Sequence, residues 1–405
     1  MRRLLIPALI LLAACAPTNG EPTATGFVPL ARNAPTLTPV PWVESGDAIS
    51  LSNVPSIQLL GRLETRVTAS TLFADAFSPD GVRLAGLTND QIVAWDLING
   101  KQVFGTARDN AEHIYFSPDK TEIYTLDNNG QVHVYNADTG EQKNAFMAQD
   151  SYRRAVTYDA DDGWLALGGV NGEVRVWDVA ARQSLVTMKA HPQSISAIAF
   201  SPDGTRLATA GSDSRVLVWD WKARNNLANL NASDVERLAF SPDGALLAAG
   251  GPDSTNVWTV ATGKLAYALN TGAGGTRDAL VFSPDGQYIL TAGEPADAIV
   301  WDAKTGAQVN TLPGVGGETV SAAFSPDGTL LATVTLTGKA TLWNMGGIRE
   351  KTLQRADLNT TQPIAGVDWT PDSHLLTLFT AEGPVQVWGL PVPPPTATPT
   401  PTQSP

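Results

Sequence analysis

The sequence predicts an all-β fold, a succession of small sheets of four strands each, and two observations carry that expectation. The tetrapeptide Phe-Ser-Pro-Asp begins at Phe77, Phe116, Phe200, Phe240, Phe282 and Phe324, with degenerate copies at Tyr158 and Trp369, so a landmark recurs every 39 to 45 residues. A second aromatic runs in phase with it, at Trp95, Tyr135, Trp177, Trp219, Trp258, Trp301, Trp343 and Trp388, often followed by Asp or Asn. Self-similarity at such a period marks an array built from one small unit. Eight copies of each landmark predict eight units.

Within a unit, four short apolar runs are separated by turn chemistry, and no stretch is long and periodic enough for a helix. In the fourth unit the first strand is Ile195 to Phe200. Ser201-Pro202-Asp203-Gly204 then turns the chain, because Pro presets φ and Gly accepts the left-handed conformation. Arg206 to Ala210, Val216 to Trp219 and Leu227 to Leu230 follow as the second, third and fourth strands. Asn129-Gly130 and Asn171-Gly172 mark the turn between second and third strands in two other units, where a type I′ hairpin needs positive φ. Third strands such as Glu173 to Trp177 are bulky on both faces, as expected of a sheet covered on both sides.

This pattern resembles WD40 repeats over roughly residues 57 to 390. The resemblance implies a WD40-type β-propeller of eight blades, with seven, the commoner number in such proteins, as the alternative. Stacked radially, the blades bury both faces and leave only short edges. The last unit ends at its third strand, Trp388-Gly389-Leu390, and so lacks a fourth. A spare strand-like run, Ile57 to Leu63, lies upstream of the first unit. It is expected to complete the last blade beside Val385 to Trp388, a strand clasp made by the N-terminal segment.

The 405 residues divide into four segments: a signal at 1–14, a tether at 15–45, the propeller at 46–390 and a tail at 391–405. Met1-Arg2-Arg3 precedes eleven apolar residues, Leu4 to Ala14, too few for a transmembrane helix and laid out as an export signal. Leu12-Ala13-Ala14-Cys15 resembles a bacterial lipobox, in which cleavage leaves a lipid-bearing cysteine. Cys15 is the single cysteine, so no internal disulfide forms. The Pro- and Thr-rich stretch after it would extend to roughly 90 Å at about 3.1 Å per residue. The chain is thus expected to be exported and held at the cell membrane by lipid, its propeller monomeric on the extracytoplasmic side. A formal net charge of −13 argues against nucleic-acid binding.

The resemblance also implies a buried polar network, and His191, Thr209, Asp213 and Trp219 match it in the fourth unit. In other units the Asp position holds Asn89, Asn129, Asn171, Thr337 or Glu382, or Pro252 and Pro295. A Thr-His-Asp set also suits a hydrolase, but a strand-borne Thr209 favours a structural role. His113, His133 and His374 lack metal-ligand spacing. Asp159 to Gly163 resembles a calcium loop only faintly, with no bidentate Glu following. No cofactor or metal is expected.

The loops entering each first strand would line the partner-binding rim. Tyr152, Arg153 and Arg154 are the candidate anchors, since Tyr and Arg favour hot spots. Thr271 to Arg277 and Gln354 to Gln362 would contribute as long loops. Three functions remain open: a non-catalytic scaffold for a protein partner, an envelope assembly or transport factor, or an enzyme or small-ligand binder using the central channel.

Overall fold

The computed structural model describes residues 49, 58–63 and 74–390, apart from 89, 108–109, 151, 253, 272–278, 294–295, 313–318, 336, 350–354, 359, 361–363 and 381–383. Cys15, the tether and the C-terminal tail therefore lie outside the described residues.

Every described element is a strand, and the strands form eight four-stranded antiparallel sheets. A leading strand, β1 (Gln58–Leu63), precedes blade 1, which comprises β2 (Ala74–Phe77), β3 (Arg83–Leu87), β4 (Gln91–Asp96) and β5 (Lys101–Ala107). Blade 2 holds β6 (Ala111–Phe116), β7 (Glu122–Asp127), β8 (Gln131–Asn136) and β9 (Gln142–Met147), and blade 3 holds β10 (Tyr152–Asp159), β11 (Trp164–Gly169), β12 (Glu173–Asp178) and β13 (Gln183–Lys189). Blade 4 is β14 (Ile195–Phe200), β15 (Arg206–Gly211), β16 (Arg215–Asp220) and β17 (Asn225–Asn231). Blade 5 is β18 (Arg237–Phe240), β19 (Leu246–Gly250), β20 (Thr255–Thr259) and β21 (Lys264–Leu269). Blade 6 is β22 (Ala279–Phe282), β23 (Tyr288–Gly293), β24 (Ala296–Asp302) and β25 (Gln308–Leu312). Blade 7 is β26 (Thr319–Phe324), β27 (Leu330–Thr335), β28 (Ala340–Asn344) and β29 (Arg355–Leu358). Blade 8 takes β30 (Ile364–Trp369), β31 (Leu375–Thr380) and β32 (Val385–Gly389) from the C-terminal end, and β1 as its fourth strand.

The blade count is eight, so the seven-blade alternative falls. The degenerate third and eighth units form four-stranded sheets like the others. In the clasp, Leu63 pairs with Val385, Gly61 with Val387 and Leu59 with Trp388; Ile57 lies outside the described residues. Ile49 adds a second fastening: its N–H donates to the Ser373 carbonyl at 3.1 Å, and its fully buried side chain packs between blades 7 and 8.

First strands of most successive blades pack against one another, as β26 does against β30 and β10 against β14, which sets them around the axis. The middle strands are buried almost throughout, so each sheet needs cover on both faces. Eight apolar clusters among the described residues supply it, one in each gap between neighbouring blades. The cluster between blades 8 and 1 joins Leu63 of the clasp to Leu84, Val93 and Trp95 of blade 1 and to Leu375 and Phe379 of blade 8.

The Ser-Pro-Asp turns share one device. In the turns of Ser78, Ser117, Ser201, Ser241, Ser283 and Ser325, the hydroxyl donates to the Asp two residues on at 2.5–2.6 Å. The same oxygen accepts the backbone N–H five residues on at 2.9–3.0 Å. Thr370 does likewise with Asp372 and Leu375. In Asp119, Asp203 and Asp243 the serine bond is the largest influence and holds the carboxyl below its ordinary range. At Asp80 burial pushes upward, but Ser78, Lys120 and the Val82 N–H outweigh it and bring the pKa to about 2. The third unit has no such serine. There Asp159 accepts the N–H groups of Asp161 and Asp162, a turn closed by its own carboxylate. Gly81, at φ 70°, lets the first turn nest against Pro371 of the last, where a Cβ would lie 3.2 Å from the proline ring.

Leu63, 1% exposed, anchors the clasp in the closing cluster. Leu63→Ala should lower stability by about 2–5 kcal/mol in urea unfolding. Leu227→Ala, at an edge position 47% exposed, should stay within about 0.5 kcal/mol of the parent.

Candidate interaction face and the polar networks of the blades

The fourth blade brings His191, Thr209, Asp213 and Trp219 together. Thr209 faces Leu217 in the middle of the sheet, on β15, and Trp219 stands near the end of β16. His191 enters from the segment that leads into β14 and is 1% exposed, with Thr209 fully buried. The indole Nε1–H of Trp219 donates to Thr209 Oγ1 at 3.2 Å. Thr209 Oγ1 lies 2.8 Å from His191 Nε2, and His191 Nδ1 lies 2.9 Å from Asp213 Oδ1.

One direction satisfies every member. Tryptophan can only donate, so the threonine hydroxyl accepts from it and passes its own proton toward His191 Nε2. That leaves Nδ1–H to donate to the Asp213 carboxylate. Gly211 makes room for the arrangement, since a Cβ there would collide with His191 Nδ1 and Asp213 Oδ1. Chemically, the set presents no exposed hydroxyl to a substrate.

Part of this network recurs where sequence reading did not look for it. Trp301 donates to Thr291 Oγ1, and Trp343 to Thr333 Oγ1, each at 2.8 Å. In all three blades the threonine stands ten residues before the tryptophan, and that spacing is the signal a search for His and Asp passed over. Where the position holds Leu167, Trp177 donates instead to the Ala148 carbonyl at 2.9 Å. Where it holds Leu378, Trp388 donates to Gln386 Oε1 at 3.1 Å.

Tyr152, Arg153 and Arg154, expected in a loop, begin the innermost strand of blade 3 instead. Tyr152 pairs with Gly169 and the register shifts before Ala155, so the backbone bulges at the two arginines. Bulges at strand ends re-aim side chains; the three side chains themselves lie outside the described residues. Of the expected long loop at 354–362, Arg355 to Leu358 is strand β29, with Asp357 bonded to Thr341 and Lys339. Thr271 is buried, and 272–278 fall outside the described residues.

His113 and His133 sit on β6 and β8, and His374 lies in a turn, bonded to Asp372 at 2.9 Å. His133 Nδ1 lies 3.1 Å from Gln142 Nε2. Among the described residues no group of three His, Cys, Asp or Glu side chains could hold a metal ion.

Three segments match the WD40 family, described as WD domain, G-beta repeat: residues 182–220, 225–258 and 306–344. Each match takes in the fourth strand of one blade and ends on the third strand of the next, the same one-strand offset that leaves β1 to complete blade 8. The fold is similar to the crystal structure of the computationally designed Ika8 protein, at 20% identity and a TM-score of 0.67, over 81% of this chain and 99% of that one. No curated protein matches the sequence. The chain is an eight-bladed β-propeller with WD40 repeats.

Asp213→Ala strips a carboxylate from buried His191 and should cost about 1–3 kcal/mol in chemical denaturation. Thr291→Val, which leaves the Trp301 N–H without its acceptor, should cost a similar amount. An Asp213→Ala protein as stable as the parent would count against the network's structural role.

Proposed function

We propose that this chain is a non-catalytic scaffold for protein–protein interaction, displayed on the extracytoplasmic membrane surface through a lipid on Cys15. The observation that carries the reading is the closed ring of WD40 repeats, an architecture that commonly mediates contacts between proteins. The fold alone does not dictate a function, so two further features add support. The Thr-His-Asp set keeps its hydroxyl fully buried, which removes it as a nucleophile. Residues 15–45 are rich in Pro and Thr, a composition suited to a tether between the lipid and the ring.

The partner face in this reading is the rim reached by the starts of the innermost strands. Tyr152, Arg153 and Arg154 are its anchors, where a bulge breaks the regular pairing of β10. The partner is a protein, and no nucleic acid or cofactor is involved.

Crosslinking on intact cells should capture a protein partner, and the triple Tyr152→Ala, Arg153→Ala, Arg154→Ala variant should lose most of that capture. Cys15→Ser should move the protein from the membrane fraction to the soluble one. Equal capture by the triple variant would reject this face, and a membrane-bound Cys15→Ser protein would reject the anchor.

A further inference from the structure

Eightfold repetition gives every position an internal control, and two positions on the innermost strands break the pattern together. The residue just before the landmark aromatic is alanine in blades 1, 4, 5 and 7 (Ala76, Ala199, Ala239 and Ala323) and uncharged in blades 2, 3 and 6. These alanines pack into the seam with the following blade. In blade 8 the position holds Asp368, and the following blade is blade 1. The residue two before the aromatic is apolar in blades 2 to 8, as at Ile114, Ile198 and Leu280, which pack toward the preceding blade. In blade 1 that register position holds Asp75. Asp368 therefore stands at the register position that meets the seam closing the ring.

Asp368 keeps a narrow opening to solvent but is otherwise enclosed. Its carboxylate accepts the Trp369 N–H at 2.8 Å. Strands β26, β27 and β31, packed against β30, carry no charged or titratable side chain. On the turn beyond it, Asp372 and His374 pair with each other. On the blade 1 side β2 carries Asp75, and Arg83 at the start of β3 is bonded to Asp138 at 2.7 Å. Among the described residues of these elements no cation pairs with Asp368.

We propose that the seam between blades 8 and 1 is a proton-operated latch, tight while Asp368 is protonated and loosened when it ionises. Enclosure raises the carboxyl from its ordinary 3.8 to about 6, with the Trp369 bond opposing only in part. A carboxyl raised in the folded state favours its neutral form there. The seam is then firmest below the ordinary value and weakens as pH rises through about 6.

The test follows hydrogen exchange in the full chain from about pH 5 to about pH 7.5, corrected for the intrinsic rate. Protection of β1 and β2, referred to β16 in blade 4, should fall about tenfold across that range, the effect of one unit in pKa. Asp368→Asn should remove the fall and leave the seam better protected at neutral pH. Asp368→Ala, which places in blade 8 the residue that four other blades carry, should do the same if the Asn variant folds poorly. An unchanged slope in both Asp368 variants, or a loss spread evenly over all eight blades, would overturn the latch.

Discussion

The ring stands on one constraint: each blade is apolar on both faces and has no stable existence without two neighbours. Buried middle strands such as β27 and β31, with every side chain enclosed, would expose two sheets' worth of apolar surface if a neighbour were absent. Burial at roughly 25 cal/mol per Å² makes such exposure prohibitive for any single blade. The array must therefore close on itself. Because the repeat is offset from the blade by one strand, closure falls to backbone pairing between the two ends of the chain. Without β1, the Trp388 strand would be an open, apolar edge, the arrangement that β proteins avoid. Ile49 reinforces this by pinning the chain upstream of β1 between blades 7 and 8.

Closure by burial leaves polar groups to be satisfied locally, and the turns do so with repeated side-chain bonds. The Ser–Asp pairs bind backbone N–H groups at the start of second strands, and the threonine–tryptophan pairs hold indoles that would otherwise sit buried and unpaired. These devices set opposite limits on pH. Carboxyls held low in the turns contribute stability above their ordinary range and lose it as pH falls, whereas Asp368 works in the other sense. The acid limit is shared among several turns, while the neutral limit belongs to one seam.

The ring was legible because its determinants repeat. Eight in-phase aromatics counted the blades correctly, and the missing fourth strand after Trp388 pointed to its replacement upstream. The alternative of seven rested on analogy, and analogy yields to a count of landmarks that are each structurally required. The His191 network was legible because its four residue types coincide only once. Thr291 and Thr333 were passed over because a threonine ten residues before a tryptophan is inconspicuous until the strands pair. Tyr152 to Arg154 read as a loop because polar residues cluster there, yet the innermost strand of a blade can start polar where it leaves the core. Asp368 directly precedes the degenerate turn motif that begins at Trp369, and a lone Asp there is inconspicuous until the strand is set against its equivalents in the other blades.

What occurs eight times in such a ring answers to the ring itself. The Ser–Asp turns, the landmark aromatics and the apolar seam positions meet demands that every blade makes, and none distinguishes one face of the propeller from another. Residues that occur once carry a different burden. The first strands of blades 2, 4, 7 and 8 also bulge, but by one residue; among the described residues the two-residue bulge at Arg153 and Arg154, the complete polar set around His191 and the carboxyl of Asp368 each occur once. Blade architecture does not call for them, since neighbouring blades stand without them. In a repeat protein the individual function is therefore sought among the departures from the repeat, and here those departures gather on blades 3, 4 and 8.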